Sequence, residues 1–239
     1  MNSRPELKLD WCSYEAAKYA VEHWHYSKTV PVGKSVKIGV WEDAEFIGAL
    51  IFGLGCGGAA DGRRYGLARN FEVAELERVA LRNHQSPVSR INSIALKMLH
   101  TQSPGLSLVI SYADPEQDHV GGIYQAGNWI YVGMSMPAWY VVSPNGRKYH
   151  SRIVRAHVQF GVKKTFFVPG GVKVATPGKY KYLYPLDPAL RSKLLPLAKP
   201  YPKRPKDSSE PAAIHAAEGG ATPTRTLQKA DMGLEPRLT

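Results

Sequence analysis

The chain has 239 residues, 44% of them hydrophobic, which is enough for one substantial core, and it carries a formal net charge of +11. Cys12 and Cys56 are its only cysteines and form no CxxC, which excludes a disulfide framework and a cysteine zinc site and fits a reducing compartment. No apolar run approaches the ~20 residues of a membrane span, and "MNSRPELKLD" lacks the apolar stretch of a signal peptide, so a soluble, unexported protein with no membrane partner is expected.

In chain order, a short strand candidate in "KLDW" leads to Ser13, an N-cap type, and apolar positions near helical spacing predict a helix from about Tyr14 to Trp24. "SVKIGVWEDAEFIGALIFG" reads as two strands broken at "EDAE", a hairpin. The glycine-rich "GLGCGGAADGRRYG" reads as a loop whose spacing matches no phosphate-binding motif. "AELERVAL" follows as a strand, "SRINSIALKMLHTQ" as a helix and "LSLVISYAD" as a buried strand ending on Asp114. "HVGGIYQAG" reads as a short helix closed by Gly127, "WIYVGMSM" as a strand, "AWYVVSPNGRKY" as a hairpin-like turn and "SRIVRAHVQFG" as a helix. From about Ala198 the composition is that of a disordered tail. The expectation is one α/β domain over residues 1–197, a mixed sheet with flanking helices, and a Pro-, Lys- and Ala-rich tail over 198–239.

The charge is segregated. Residues 1–142 hold 13 Lys/Arg against 14 Asp/Glu, residues 143–206 hold 15 against Asp187 alone, and residues 207–239 hold 3 against 5. A basic segment of this kind is the footprint of a polyanion partner, since cations that neutralise phosphates release condensed counterions; a solvated basic face is the plain alternative.

Several residues could carry chemistry. Asp114 ends an apolar strand before Pro115, where a carboxylate can bind a metal, orient an amine or act as a base, or simply cap a turn. Tyr124 would face back toward that strand end, with a buried, satisfied hydroxyl as its simpler account. "HWHYSK" concentrates His23, His25 and Tyr26, but alternate histidines do not share a helical face, so a chelate within the segment is not expected. A site of His25, Tyr26 and a distant carboxylate would suit iron. In "ELERV", strand alternation puts Glu75 and Glu77 on one face and Leu76 and Arg78 on the other, and a buried Arg needs an anionic partner.

"LSLVISYADP…HVGGIYQAGNWIYVG" is similar to the second half of the GNAT acyltransferase fold, in which neighbouring strands splay to admit an acyl-coenzyme A. More closely, "HYSK", "ELERV", "YADP", "GGIYQAGNW" and "YVG", in this order between about Trp11 and Asp187, resemble the Mom family of bacteriophage DNA-modification proteins. The resemblance implies a GNAT-like fold and conversion of adenine in DNA to its carbamoylmethyl derivative on the exocyclic amine, protecting the DNA from host restriction in the host cell cytoplasm. It implies catalytic roles for His25, Tyr26, Arg78, Asp114 and Tyr124, and an iron held by His25, Tyr26 and Asp114. In place of the glycine-rich GNAT phosphate loop stands "NHQSPVSRINS", which can offer helix N-terminal amides with Ser86, Ser89 and Arg90 to an anionic donor such as acetyl-CoA.

Double-stranded DNA is the implied partner. Its phosphates would meet the basic segment, with Lys163, Lys164, Lys179 and Lys181 as the expected contacts, and a flipped adenine would be received by aromatics among Trp129, Tyr131, Trp139 and Tyr140. Two other functions fit the residues: an N-acyltransferase acting on a protein or small-molecule amine, and a noncatalytic DNA-binding protein.

Overall fold

The computed structural model describes residues 4–55, 62–68, 70–151 and 168–204. The element order is β1 (Leu7–Trp11), α1 (Tyr14–Trp24), β2 (Ser35–Glu42), β3 (Glu45–Gly53), β4 (Val73–Leu81), α2 (Val88–Gln102), β5 (Leu108–Ala113), α3 (Gly122–Ala126), β6 (Ile130–Met134), β7 (Ala138–Val142), β8 (Lys148–His150), β9 (Val172–Thr176), β10 (Tyr180–Pro185) and α4 (Pro188–Leu194). Seven strands form one mixed sheet in the order β1-β2-β3-β4-β5-β10-β6, and β8-β7-β9 form a separate three-stranded sheet. The expected α/β architecture, a mixed sheet with flanking helices, is the one observed.

Local chemistry accounts for the boundaries. Ser13 Oγ accepts the Ala16 amide at 3.1 Å, the N-cap that starts α1 at Tyr14. Asp43 and Ala44 both have positive φ, the backbone hand that lets two residues join twisted strands, and Glu42 faces Glu45 across that turn. Apolar alternation then sorts the core onto two faces. Leu50, Leu76 and Val109 pack with Ile91, Ala95 and Leu96 of α2 on one face. Ala49, Ile51 and Ala80 pack under Ala17, Ala20 and Val21 of α1 on the other, where Ile110 and Leu183 also meet Leu190 and Leu194 of α4.

The pairing of β4 with β5 positions the site. It is the only parallel pairing in the described sheets, and α2 supplies the crossover it needs. Hydrogen bonding joins Val73–Leu76 to Leu108–Ser111 and stops there, so the two strands part toward their carboxyl ends. Just past that point β4 bulges. Ile51 faces Arg78 and Phe52 faces Leu76, leaving Glu77 as the extra residue.

Two readings of the sequence change here. β9, β10 and α4 had no counterpart in the expected elements, and β10 inserts between β5 and β6. Residues 198–204, expected within the tail, pack on the domain. Lys199 N–H donates to the Tyr131 carbonyl at 2.8 Å, Tyr201 Oη–H to the Trp129 carbonyl at 2.6 Å, and Gln125 Nε2 to the Pro202 carbonyl at 3.2 Å. The expected helix "SRIVRAHVQFG" lies, after Ser151, outside the described residues, as do Cys56, Lys163 and Lys164.

Candidate active site

Where β4 and β5 part, a cleft of about 60 Å³ opens, and His25, Tyr26, Arg78, Asp114 and Tyr124 all line it. They come from the end of α1, the bulged part of β4, the end of β5 and the middle of α3. Glu77 and His119 line it too. Strand alternation had set Glu77 and Arg78 on opposite faces. The bulge at Glu77 breaks that alternation, and both residues line the cleft.

Arg78 braces the wall. Its Nε donates to the Thr29 carbonyl at 3.2 Å and its Nη1 to the Glu77 carbonyl at 2.7 Å, tying the loop after α1 to the bulged strand. Both of these acceptors are neutral carbonyls, so neither bond cancels the charge that Arg78 places beside His25 and Tyr26.

His25 is 7% exposed, and the backbone N–H of Ser27 donates to its Nδ1 at 3.1 Å. A backbone amide can only donate, so Nδ1 is the acceptor and the ring proton resides on Nε2. Ser27 Oγ, 2.8 Å from the same nitrogen, can donate to it and is compatible with that tautomer. Burial, reinforced by the charges of Arg78, His119 and Lys179, lowers the imidazole from its ordinary range to about 3, so it is neutral at physiological pH. Its free edge is a neutral N–H donor.

Asp114 both caps a turn and holds an amine. Its Oδ1 accepts the Glu116 amide at 3.1 Å, capping the turn Pro115–Gln117, and its Oδ2 pairs with Lys179 Nζ at 2.7 Å. Its side chain is 12% exposed. Tyr26 stacks on His25 with ring centroids 4.4 Å apart, and burial, with the Asp114 charge, raises its phenol above the usual range.

Tyr124 is buried. Ser111 Oγ lies 2.7 Å from its hydroxyl and 2.8 Å from the Leu76 carbonyl. The carbonyl must take the single Ser111 proton, so Tyr124 donates in the other bond. Burial pushes its phenol well above the ordinary range, which keeps the hydroxyl protonated. Gly121 opens α3 at φ 81°, where an added Cβ would run into the Tyr182 ring; a glycine is required for the chain to turn beneath the cleft.

A second, larger cleft of about 560 Å³ lies between the start of α2 and α3. Val88 and Ser89 line it on one side, Ile123 and Gln125 on the other, with Lys203 and Arg204 beside them. Pro87 occupies the N-cap position of α2, which therefore has no side-chain cap. Of the three residues expected to hold an anion there, Ser89 faces this cleft. Ser86 is 2% exposed and its amide, like that of Gln85, donates to the Glu42 carboxylate, at 2.6 and 2.9 Å. Arg90 does not line the cleft.

The remaining expectations divide. Lys179 is the partner of Asp114, not an open phosphate contact. Lys181 is half-buried over Tyr65 and Tyr112, with its Nζ 5.1 and 5.7 Å from the two ring centroids. Trp129 and Tyr131 belong to the buried core, whereas Trp139 and Tyr140 stand on the small sheet. His119 and the site role of Lys179 were missed. Lys179 was expected as a phosphate contact, and only the antiparallel pairing of Tyr180 with Ala113 brings it to Asp114.

The residues expected to hold iron do not fit it. A ligating imidazole presents a lone pair to the metal and donates its other N–H outward. His25 does the reverse, and the Asp114 carboxylate is held by an ammonium. Among the described residues no group of three or more His, Cys, Asp or Glu is arranged to hold a metal ion.

Comparison with known proteins gives a family and a general likeness. Residues 6–203 match the Mom protein family. The chain is 27% identical over 207 residues to the methylcarbamoylase mom of Escherichia phage Mu, covering 83% of this chain and 84% of that one. Among solved structures it is similar to FeeM, an N-acyl amino acid synthase from uncultured soil microbes, at a TM-score of 0.42 and 10% identity over 82% of this chain and 99% of the other. A Bacillus subtilis acetyltransferase in complex with CoA gives the same TM-score and identity over 77% of this chain and all of its own.

Proposed function

The chain belongs to the Mom protein family, and from that premise we propose that it modifies adenine in duplex DNA, placing a carbamoylmethyl group on the exocyclic amine and so shielding phage DNA from host restriction in the host cytoplasm. The phage Mu relative is a methylcarbamoylase by name. No helix among the described residues is long and apolar enough to cross a membrane.

One observation carries the reading. A cleft at the parted ends of β4 and β5 offers a carboxylate acceptor at Asp114 and a neutral N–H donor at His25 Nε2. Adenine presents the complementary pair, an amine that donates and ring nitrogens that accept. The donor keeps its form near neutral pH, because His25 protonates only far below it.

In this reaction the adenine amine forms a bond to the methylene carbon of the donor, the bond from that carbon to the leaving group breaks, and one amine proton departs. Alkylation gives the nitrogen a transient positive charge, which makes that proton acidic enough for the Asp114 carboxylate. Lys179 holds the carboxylate in place. The leaving group departs with the bonding electron pair and takes up the proton that Asp114 has accepted, while Tyr124 stays protonated and fixes the cleft floor through its bond to Ser111. Arg78 and Tyr26 hold the wall that positions His25.

A target base must leave the stack to reach this cleft. The larger cleft favours an extended anionic donor lying across the start of α2 with Ser89, Lys203 and Arg204 at its phosphates; acetyl-CoA, whose leaving group is on its carbonyl carbon, would give acetylation and suits the second reading below. That cleft also favours the second reading, N-acyl transfer to a protein or small-molecule amine. Deoxynucleosides from cells expressing the chain separate the two: adenine carrying a carbamoylmethyl group supports the first, and unmodified adenine beside an acylated protein or metabolite supports the second.

A further inference from the structure

We propose that the small sheet β8-β7-β9 is the surface on which duplex DNA docks, with Arg147, Lys148 and Lys173 binding its phosphates; this rests on the DNA-modifying reading above. Lysines expected in that role are either paired with Asp114, stacked on tyrosines, or outside the described residues.

Composition marks the small sheet. From Ala138 to Gly178 the sequence holds seven Lys/Arg and no Asp or Glu, and three of the seven, Arg147, Lys148 and Lys173, are among the described residues. A face that was merely solvated would ordinarily mix signs, because like charges side by side repel. Here the exclusion of acids is complete across all three strands. Arg147, Lys148 and Lys173 are exposed.

Register distributes these cations over both faces. Tyr140 faces His150 and Val174, and Lys148 faces Val142, so Tyr140, Lys148 and His150 share one face. Val141 faces Tyr149 and Lys173, and Trp139 shares that second face. Each cation lies over a ring: Lys148 Nζ is 4.9 Å from the Tyr140 centroid, Lys173 Nζ is 4.6 Å from Trp139, and the Arg147 guanidinium is 5.1 Å from Tyr149. The aromatics hold the cations upright while leaving their charge unneutralised. No residue of these strands belongs to any of the three buried apolar clusters.

Placement links this sheet to the chemistry. The chain leaves β6 at Met134 and returns to β10 at Tyr180, and the two passes are clasped where Ser135 N–H donates to the Lys179 carbonyl at 2.8 Å and Lys179 N–H to Ser135 Oγ at 2.9 Å. Lys179 is the residue whose ammonium reaches Asp114. The root of the sheet is thus at the mouth of the cleft. A narrow antiparallel sheet fits a major groove, and one rooted there would bring the duplex alongside the opening that a displaced adenine must enter.

The test is the salt dependence of duplex binding by the full chain, measured by fluorescence anisotropy. Removing one phosphate-binding cation should lower the slope of log affinity against log salt by about 0.9, so the triple variant Arg147→Gln, Lys148→Gln, Lys173→Gln should reduce it by about 2.7. The charge-preserving pair Lys148→Arg, Lys173→Arg should keep the original slope. A triple variant that melts at the wild-type temperature and keeps the wild-type slope overturns the docking surface, as does a reduced slope in the charge-preserving pair. The wild-type chain distinguishes the two levels: modified adenine with an unchanged triple-variant slope overturns only the docking surface, whereas no modified adenine from wild type overturns the reading beneath it.

Discussion

Lys179 Nζ lies 2.7 Å from Asp114 Oδ2, joining the strand that returns from the small basic sheet to the strand that ends at the cleft. The pair ties the two functional parts together: one residue belongs to the proposed chemistry and the other to the root of the proposed DNA surface.

Asp114→Asn should abolish modification while costing little stability. The amide still accepts the Glu116 N–H and still fills the same volume, while the ion pair that disappears joins a carboxylate to a half-exposed lysine. Pairs of that kind contribute about 1 kcal/mol or less, so thermal unfolding should shift by only a few degrees. A variant that melts with the wild type and modifies DNA fully would remove Asp114 from the reaction.

Tyr124→Phe deletes one hydroxyl. Ser111 can still donate to Leu76, so no buried donor is orphaned, and the expected cost is about 1 kcal/mol in denaturant unfolding. Loss of modification at nearly native stability assigns the hydroxyl to positioning the cleft floor through Ser111. Retained modification would return Tyr124 to the core it also belongs to.

His25 gives the fold a pH dependence with a definite sign. Its folded-state value of about 3 is below the ~6.5 of an unfolded histidine, so between these limits the unfolded chain binds a proton that the folded chain does not. The His25 contribution is complete above about pH 6.5 and is lost as pH falls toward 3, by at most about 1.4 kcal/mol per pH unit. Equilibrium unfolding from about pH 7 to about pH 4 should show this decline, and His25→Asn, which can still accept the Ser27 amide, should flatten it. An identical slope in the variant would place the acid sensitivity elsewhere.

Gly121→Ala meets two penalties, a left-handed φ and a clash with the Tyr182 ring. Destabilisation of about 2 kcal/mol or more is expected in denaturant unfolding. A neutral effect would mean that the turn beneath the cleft is less constrained than the Tyr182 ring implies.

Much of this was legible in the sequence. Period and caps gave α1 its limits at Tyr14 and Trp24, because Ser13 and the helical apolar spacing are local signals. The order of short motifs brought forward His25, Tyr26, Arg78, Asp114 and Tyr124, which line one cleft. Other features depend on pairing between distant strands. Glu77 and Arg78 share the cleft only because β4 bulges against β3, and no alternation rule foresees a bulge. Lys179 meets Asp114 only because β10 inserts beside β5. The tautomer of His25, which argues against iron, rests on a bond to Ser27 that residue type alone does not reveal.

The central claim is that this cleft modifies adenine through Asp114. DNA from cells expressing the wild-type chain, and from cells expressing equal soluble amounts of Asp114→Asn, should be digested to deoxynucleosides and weighed by mass spectrometry. The account expects deoxyadenosine heavier by one carbamoylmethyl group with the wild type and none with the variant. Modified deoxyadenosine at the same level in both, or unmodified deoxyadenosine with abundant wild-type protein and an intact phage donor supply, would contradict it.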